Sequence, residues 1–331
     1  MRRLLLPLSV ALLLLSGCGS RQYYTPQSTH SAASSSVAEV VSFSRDGATL
    51  SGGKALNAKQ ELGFVLEEGY AFINNTSSAA ITANRQGNCR IYTPEGSAKA
   101  ITLPKALVAG TVIENQLVYL LQDNNYGIYD LSSDTVVYNN KAKKAFSIDT
   151  RIANPMRVDN LVVIPTLDGK LVVLDLKTHK IAKEIYVTTE SSLNNVIFLR
   201  RLGNTLIAAT PHGVISVSNQ GRREFKRAIS EVAIDGEHVF VFAKDGLIAK
   251  LDESLKVLAE KKFKFAHFSI AGIEGDKLYA LDKQGYLIVT NKSFTKHRDY
   301  KLPDVEGYGF ASAGKLYYDG HRVDLSRLGY E

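Results

Sequence analysis

Residues 161–181, LVVIPTLDGKLVVLDLKTHKI, show the clearest alternation of apolar and polar positions in the chain. Two short apolar runs, LVVI and LVVL, are rich in β-branched side chains. The pair Asp168-Gly169 lies between them, where glycine supplies the positive φ that a tight hairpin turn requires. A second turn follows at residues 177–180. The segment therefore predicts a β-hairpin followed by a further turn and strand.

Weaker copies of this pattern recur on both sides of it, without a convincing amphipathic helix. Each copy has an apolar strand, a turn, a second strand and a further turn, which is often rich in Asp, Ser or Asn. The steps between successive turn glycines are 40, 40, 42, 44, 33, 39 and 35 residues. A period near 40 with several strands per repeat is typical of a β-propeller blade. The glycines are Gly47, Gly87, Gly127, Gly169, Gly213, Gly246, Gly285 and Gly320.

The repeat predicts an all-β chain folded as a β-propeller of four-stranded blades. A single twisted sheet leaves apolar faces that only a neighbouring blade covers, and radial closure leaves only short sheet edges. We expect one blade to combine both chain ends, with the hairpin at residues 39–50 joining the closing strands at residues 315–325. Counting that composite blade once predicts seven blades, with eight as the alternative. A solenoid is the rival architecture, although the repeats are long and rich in loops.

The segment LDGKLVVLDLKTHK, residues 167–180, resembles the repeat of pyrroloquinoline-quinone-type propellers, whose pattern is approximately DG-x-L-x-A-L-D-x-x-T-G-K. His179 replaces the usual glycine, and the tryptophan that often follows is missing. The resemblance implies the same propeller fold. The residues that fit are Asp168, Gly169, Leu171, Leu174, Asp175, Thr178 and Lys180.

The first 18 residues, MRRLLLPLSVALLLLSGC, contain two arginines, an apolar core at residues 4–15 and small residues before Cys18. The apolar core is too short for a normal membrane-spanning helix and is typical of an export signal. Its end, Leu-Ser-Gly-Cys, is similar to the bacterial lipobox, which implies cleavage before Cys18 and lipidation of that cysteine. We therefore expect a lipoprotein signal peptide at residues 1–17. The alternative is an ordinary signal peptide with a chance cysteine.

The segment after Cys18, GSRQYYTPQSTHSAASSS, is rich in Ser, Thr and Gln and almost free of aliphatic residues. Because such a segment buries little apolar surface, we expect residues 18–36 to be a lipidated flexible tether and residues 37–331 to form a single propeller domain. Gly19 rather than Asp follows the cysteine, which in enteric bacteria implies sorting to the outer membrane. The expected location is the outer membrane, with the protein lipid-anchored and facing the periplasm.

A lipoprotein that consists of such a propeller resembles the BamB family, the accessory lipoproteins of the outer-membrane β-barrel assembly machine. The resemblance implies binding to the barrel-inserting subunit through a loop with leucines beside an arginine. The nearest match is VIFLRRL, residues 196–202, so the candidate partner-binding residues are Leu199, Arg200 and Arg201. The alternative for this segment is a buried blade strand with arginines facing solvent. The family has eight blades.

Composition excludes few functions by itself. The chain is 45% hydrophobic and 22% charged, and its net charge of +7 includes two arginines of the leader. The basic residues are scattered and form no aromatic-studded nucleic-acid motif, so they predict a solvated face. Cys89 is the lone thiol outside the leader, and we expect it to be a small buried hydrophobe. Residues 263–268 alternate in aromatic side chains, which predicts a half-buried strand whose aromatic edge is a candidate peptide-binding site.

Candidate catalytic residues are sparse. Asp46, Asp168 and Asp245 each precede a turn glycine, so turn geometry explains them better than acid–base chemistry. The histidines are dispersed without HxxxH or HxH spacing, and neither a phosphate-binding loop nor a Gly-x-Ser-x-Gly elbow occurs. Tryptophan, adjacent cysteines and CxxCH are all absent, although quinone- and heme-dependent dehydrogenases use them. We therefore expect no enzyme activity, no cofactor and no metal.

Three functions remain open at this point. The leading hypothesis is a monomeric docking scaffold within an envelope protein complex, with outer-membrane protein assembly as its most concrete version. The second is a scaffold of another envelope machine for secretion, motility or adhesion. The third is a ligand-binding or redox propeller.

Overall fold

The computed structural model describes residues 22–147, 149–189, 194–303 and 305–331. In these ranges the regular structure is β-strand, apart from one short 3₁₀ helix, Leu325–Arg327. The strands form eight separate sheets, in which consecutive strands pair antiparallel through short connections. The structure therefore has eight blades. This is the alternative count from the sequence, and the expected count of seven is not confirmed.

Two short strands precede the blades, β1 (His30–Ser31) and β2 (Ser34–Ser36). Blades 1 to 4 comprise β3 (Val40–Phe43), β4 (Gly47–Leu50), β5 (Lys54–Asn57) and β6 (Glu61–Val65); β7 (Ala71–Asn75), β8 (Ala80–Ala83), β9 (Asn88–Tyr92) and β10 (Ala98–Thr102); β11 (Leu107–Ile113), β12 (Gln116–Leu121), β13 (Tyr126–Asp130) and β14 (Thr135–Asn140); and β15 (Met156–Val158), β16 (Leu161–Pro165), β17 (Lys170–Asp175) and β18 (Ile181–Tyr186).

Blades 5 to 8 follow the same order along the chain. They comprise β19 (Phe198–Leu202), β20 (Thr205–Thr210), β21 (Gly213–Ser218) and β22 (Gly221–Lys226); β23 (Ile229–Asp235), β24 (His238–Ala243), β25 (Leu247–Leu251) and β26 (Val257–Lys262); β27 (Phe268–Glu274), β28 (Lys277–Asp282), β29 (Tyr286–Asn291) and β30 (His297–Lys301); and β31 (Gly309–Ser312), β32 (Lys315–Tyr318) and β33 (His321–Asp324).

The blades are arranged in a closed ring. The first strands of several neighbouring blades contact one another, and β31 of blade 8 contacts β3 of blade 1. The buried hydrophobic side chains of the described residues form eight clusters, one between each pair of neighbouring blades, including blades 8 and 1. Each blade thus covers the apolar faces of two others, so the ring rather than the single blade is the stable unit.

Most of the predicted turn glycines lie in the turn between the second and third strands of a blade. Those at Gly87, Gly169, Gly246, Gly285 and Gly320 have φ between 73° and 89°. The other three are strand residues: Gly47 and Gly213 begin β4 and β21, and Gly127 lies inside β13. In blade 3 the positive φ of this turn belongs to Asn124 instead. The positions of the glycines therefore locate the turns between the second and third strands of the blades only approximately.

The ring is closed by β2, and not by the expected hairpin at residues 39–50. β2 pairs antiparallel with β33, with Ser34 opposite Val323 and Ser36 opposite His321, and it forms the fourth strand of blade 8. The hairpin contributes β3 and β4 to blade 1. Both chain ends do share one blade, but the closing strand is a run of exposed serines. Such a run has no hydrophobic alternation that would reveal it in the sequence.

Residues 22–36 also differ from the expected flexible tether. β1 pairs parallel with β30, the outermost strand of blade 7. Tyr24 is 8% exposed, and its hydroxyl donates a hydrogen bond to Asp299 at 2.9 Å. Composition alone did not predict this docking because a sheet edge binds a strand through backbone hydrogen bonds, which need no apolar side chains. Cys18 and the signal peptide lie outside the described residues.

Residues 263–268 do not form the expected strand: residues 263–267 connect blades 6 and 7, and Phe268 is the first residue of blade 7. β26 ends at Lys262 and β27 begins at Phe268. Phe263 and Phe268 are buried in the cluster between the two blades, together with Tyr24. Phe265, which has a φ of 67°, lies on the surface with 43% of its area exposed. The aromatic alternation therefore marks a connection and the start of the next strand, with two buried rings and one exposed ring.

Candidate functional site

The turn between β3 and β4 of blade 1 carries side chains that cross the centre of the ring. Ser44 fixes its base, because the Ser44 hydroxyl donates to the carbonyl of Ile73 in blade 2 at 2.9 Å. At Gly47 a Cβ would lie only 2.1 Å from the ring of Phe72, so glycine is required there. Arg45 and Asp46 contact blades 5 and 6 and the connection to blade 4. Those elements lie across the axis of an eight-blade ring.

Arg45 begins a chain of paired charges. Its guanidinium lies 2.8 Å from the carboxylate of Glu231 in β23 and donates to the carbonyl of Ile197 at 3.2 Å. Glu231 also accepts from Arg151 at 3.3 Å, and Arg151 pairs with Asp149 at 2.5 Å. These four charged side chains are between 10% and 17% exposed. The centre of the ring is therefore occupied by largely buried ion pairs.

The pairing controls which protonation states are stable. Burial alone would raise the pKa of Asp149, but its hydrogen bonds with Arg151 and the charge of Arg151 lower it overall. Burial alone would likewise lower the pKa of Arg151, but Asp149 and Glu231 raise it overall. Asp149 and Arg151 both remain charged across the physiological pH range.

Asp46 forms a second set of contacts across the axis. It pairs with the guanidinium of Arg200 in β19 and accepts a hydrogen bond from the amide of Asn154 at 2.7 Å. Burial raises the pKa of Asp46, but the charges of Arg200 and Arg45 and the hydrogen bond from Asn154 lower it overall. The ring of Phe198 lies 5.7 Å and 5.8 Å from the guanidinium carbons of Arg45 and Arg200. These are cation–π distances, so the aromatic ring reinforces the pairing.

We refer to these six charged residues as the axial network: Arg45, Arg151, Arg200, Asp46, Asp149 and Glu231. Two cavities border it; all six residues line the first, and Asp46 and Arg200 also line the second. One has a volume of about 530 Å³ and is lined largely by apolar and aromatic residues of blades 1, 7 and 8, among them Phe43, Ile270, Tyr279, Tyr308, Phe310 and Tyr318. The other, of about 760 Å³, is lined by many amide and hydroxyl side chains of blades 1 and 2, among them Asn57, Gln60, Asn74, Asn75, Thr76 and Ser78. The network therefore lies between an aromatic cavity and a polar one.

The axial network contains equal numbers of positive and negative side chains. Its three arginines and three carboxylates balance in charge: Arg45, Arg151 and Arg200 with Asp46, Asp149 and Glu231. Because the pKa values of Asp46 and Asp149 lie below their usual range, neither group is suited to donate a proton near neutral pH. Within the described ranges, no group of three or more His, Cys, Asp or Glu side chains is placed to hold a metal ion. The arrangement braces blade 1 against the opposite side of the ring.

The predicted partner-binding segment is a strand, β19, and not a loop. Leu199 is 0% exposed in the cluster between blades 4 and 5, so a partner has no access to it. Arg200 belongs to the axial network. Arg201 has a side chain that is 45% exposed and donates to the carbonyl of Gly203 at 2.8 Å. The geometry fits the alternative interpretation of a blade strand, with Arg201 on the surface.

The sequence interpretation missed most of the axial network. Turn geometry accounts for Asp168, which accepts a hydrogen bond from Thr166 at 2.6 Å, but it does not account for Asp46, whose partners lie in other blades. One signal was present in β23, ISEVAID, where the charged residue Glu231 directly precedes the apolar run VAI. A charge next to such a run requires a buried partner. The sequence does not reveal which residue that partner is.

No protein-family model matches this chain. Two curated proteins named plasminogen-binding protein PgbB, from Helicobacter pylori strains J99 and 26695, are each 30% identical to it over 243 residues. The match covers 71% of this chain and 45% of each relative. The chain thus spans about half the length of the curated relatives it matches.

Among solved structures, BamB from Moraxella catarrhalis superimposes with a TM-score of 0.65 at 14% sequence identity. The C-terminal WD40 domain of Sif2 superimposes with a TM-score of 0.66 at 12% identity. Each superposition covers 89% of this chain and 98% of the other chain. At these identities the similarity establishes the fold, which is a BamB-like β-propeller. Within the described part of the chain, no helix has the length and apolarity needed to cross a bilayer.

Proposed function

We propose that this protein is a lipid-anchored, non-catalytic docking propeller at the periplasmic face of the outer membrane. The axial network is the observation that supports the non-catalytic part of this proposal most. At the centre of the ring, Arg45 of blade 1 is neutralised by Glu231 of blade 6, and Asp46 of blade 1 is neutralised by Arg200 of blade 5. Binding then falls to rigid turns and outer strands, and no bond is made or broken. Neither a cofactor nor a metal takes part.

The most concrete form of this proposal is assistance in outer-membrane β-barrel assembly. Two features support it together: the BamB-like fold and the lipobox-like sequence that ends in Cys18. The partner would be the barrel-inserting subunit of the assembly machine. A scaffold role in another envelope machine remains the alternative within the same class.

The test is membrane cross-linking and affinity purification of the tagged full-length lipoprotein, with partners identified by mass spectrometry. Recovery of the barrel-inserting subunit supports the assembly role. Recovery of a different envelope complex keeps the docking propeller and removes the assembly role. Recovery of no envelope protein contradicts both.

A pair of variants then locates the binding face. Arg201→Glu reverses an exposed charge beside blade 5 without touching the axial network, whereas Arg200→Glu would break the pair with Asp46 and confuse binding with folding. Arg327→Glu is the matched control, because its side chain is 84% exposed in the 3₁₀ helix at the far end of the chain. Loss of the partner with Arg201→Glu alone supports the predicted residue Arg201. Equal recovery with both variants moves the binding face elsewhere.

A second candidate function is plasminogen binding, favoured by the 30% identity to PgbB over 243 residues. It also belongs to the docking class, with an extracellular partner. Surface plasmon resonance with immobilised plasminogen is the direct measurement. Saturable binding to plasminogen, with no recovery of the barrel-inserting subunit from membranes, would favour this candidate over the first.

A further inference from the structure

The first described residues of the N-terminal segment pack against the outer wall of the ring. Tyr24 packs between blades 6 and 7, with ring centroids 6.3 Å from Phe263 and 5.9 Å from Tyr286 in edge-to-face contacts. Its hydroxyl is hydrogen-bonded to Asp299 in β30 at 2.9 Å. β1 then continues along the outer edge of blade 7. The path of the chain toward Cys18 therefore starts from this wall.

The distance from Tyr24 to the proposed lipid anchor is limited by covalent geometry. Cys18 precedes Tyr24 by six residues. A fully extended chain covers at most about 3.3–3.6 Å per residue, so Cys18 lies within about 20 Å of Tyr24. If the acyl chains on Cys18 are inserted in a bilayer, the wall at blades 6 and 7 stays near its surface.

This wall carries basic side chains around the docked segment. The cleft beside residues 24–30 is lined by Lys261, Lys262, Lys264 and Arg298. Its carboxylates are Asp299, which is buried and bonded to Tyr24, and Glu331, which pairs with Lys296 at 3.3 Å.

Two further acidic residues lie close by. Lys262 pairs with Asp245 at 2.5 Å, and Glu260 is exposed one residue before Lys261. The four bases of the cleft still outnumber the exposed carboxylates beside them.

An exposed aromatic side chain lies next to these charges. Phe265 is 43% exposed in the connection between the two blades, and the ammonium of Lys264 is 4.8 Å from its ring centroid. Basic side chains with a neighbouring exposed aromatic ring are the combination that favours the interface of an anionic bilayer. We refer to Lys261, Lys262, Lys264, Phe265 and Arg298 as the basic rim.

We propose that the basic rim faces the bilayer and binds anionic phospholipid headgroups, so that the propeller is held in one orientation with blades 6 and 7 toward the membrane. This inference rests on the proposed lipidation of Cys18. A lipid chain alone tethers the protein but leaves it free to tumble about the tether. The basic rim supplies the second contact, and each of its bases attracts an anionic surface. The blades opposite the rim then remain open to a protein partner.

The experiment uses the purified full-length lipoprotein in vesicles of phosphatidylcholine, with or without phosphatidylglycerol. A fluorophore on Lys264→Cys reports contact with lipids that carry a quencher on the headgroup, and Lys59→Cys in blade 1 is the matched position away from the rim. Cys89 is fully buried, so the fluorophore is directed to the introduced cysteine. We expect strong quenching at residue 264 and little at residue 59, with the difference reduced when phosphatidylglycerol is omitted.

Charge variants test whether the quenching depends on the basic rim or on the overall charge of the protein. Lys261→Gln with Arg298→Gln, in the Lys264→Cys background, should lower the quenching at residue 264 to the level without phosphatidylglycerol. Lys183→Gln with Arg223→Gln removes the same charge from exposed positions on blades 4 and 5 and should leave quenching unchanged. Equal quenching at residues 264 and 59 in a lipidated protein overturns the orientation while the docking function stands. An intact mass without acyl chains on Cys18 overturns the anchor and this inference together.

Discussion

Blade 3 and blade 1 are held in the ring by different kinds of contact. Among the described residues, the cluster between blades 2 and 3 contains 14 buried hydrophobic residues, and that between blades 3 and 4 contains 13. The clusters on either side of blade 1 contain five and four. Blade 1 is also the blade that sends Arg45 and Asp46 across the axis. The thinnest apolar interfaces of the ring thus coincide with its ion pairs.

This difference shows how a ring of similar blades can be held together although the apolar clusters between its blades differ in size. Apolar burial stabilises in proportion to the area removed from water, is not directional and does not depend on protonation. Ion pairs depend on geometry and on charge, and a buried charge that loses its partner is strongly destabilising. Blade 1 should therefore be sensitive to substitutions and conditions to which blade 3 is indifferent.

The largest effect is expected from Glu231→Gln, which removes one of the three carboxylates of the axial network. The change leaves Arg45 largely buried beside a neutral amide and removes one of the two carboxylates paired with Arg151, so the free energy of unfolding should fall by about 3–5 kcal/mol. Urea denaturation followed by circular dichroism measures it. Glu61→Gln is the control, because the pair of Glu61 with Lys54 in blade 1 is about half exposed and should change stability by less than about 1 kcal/mol. Equal stability of the two variants would mean that the axial network contributes little.

Leu117→Ala tests how much the apolar cluster between blades 2 and 3 contributes to stability. Leu117 is 0% exposed in the cluster between blades 2 and 3, so the free energy of unfolding should fall by about 3 kcal/mol through lost burial and a cavity. Leu258→Ala in β26 is the control, because Leu258 is 49% exposed and its loss should cost less than about 0.5 kcal/mol. A cost for Leu117→Ala as small as that of the control would contradict the described core.

The contributions of the axial network and of the apolar cluster between blades 2 and 3 should differ in their dependence on pH. The pKa values of Asp46 and Asp149 are lowered in the folded state, so their stabilisation is present above the usual aspartate pKa and is lost as pH falls through the lower, folded value. Asp46→Asn should cost about 2 kcal/mol at neutral pH, and this cost should shrink below about pH 4. The destabilisation by Leu117→Ala should stay constant over the same range. A pH-independent cost for Asp46→Asn would contradict the ionic role of Asp46.

The smallest effect concerns Cys89, which reports on opening between blades 2 and 3. Its thiol is fully buried, and burial raises its pKa to about 12. We expect slow labelling by an aromatic disulfide in the native protein, faster labelling with Leu117→Ala and no change with Glu61→Gln. Rapid labelling of the unsubstituted protein, with native circular dichroism, would show that this interface opens easily.

The strands were predictable where apolar and polar residues alternate. Residues 161–181 were expected to form a hairpin and a further strand; β16 and β17 form the hairpin, and β18 begins at the last residue of the segment, Ile181. Residues 263–268 show the limit of the same reasoning. Buried Phe263 and Phe268 and exposed Phe265 imitate a strand, although Phe263 and Phe265 lie in a connection between blades and Phe268 begins β27.

The candidate site was less predictable than the fold. Arg200 was singled out as a partner contact, and within the described chain its carboxylate partner is Asp46 in blade 1. Leu199 was singled out with it and is fully buried. Both residues belong to a strand pattern, which indicates burial but does not indicate what lies across the ring.

The order of apolar runs and turns determined the fold class of this protein, because strand alternation and turn chemistry are local and are written in neighbouring residues. Only the tertiary structure decided the eighth blade, the closing strand and the axial network. Tyr24 and Asp299 are 275 residues apart, and Asp46 and Arg200 are 154 apart. Such contacts exist because ring closure brings distant parts of the chain together, so their partners are chosen by the geometry of the whole ring and not by any local pattern.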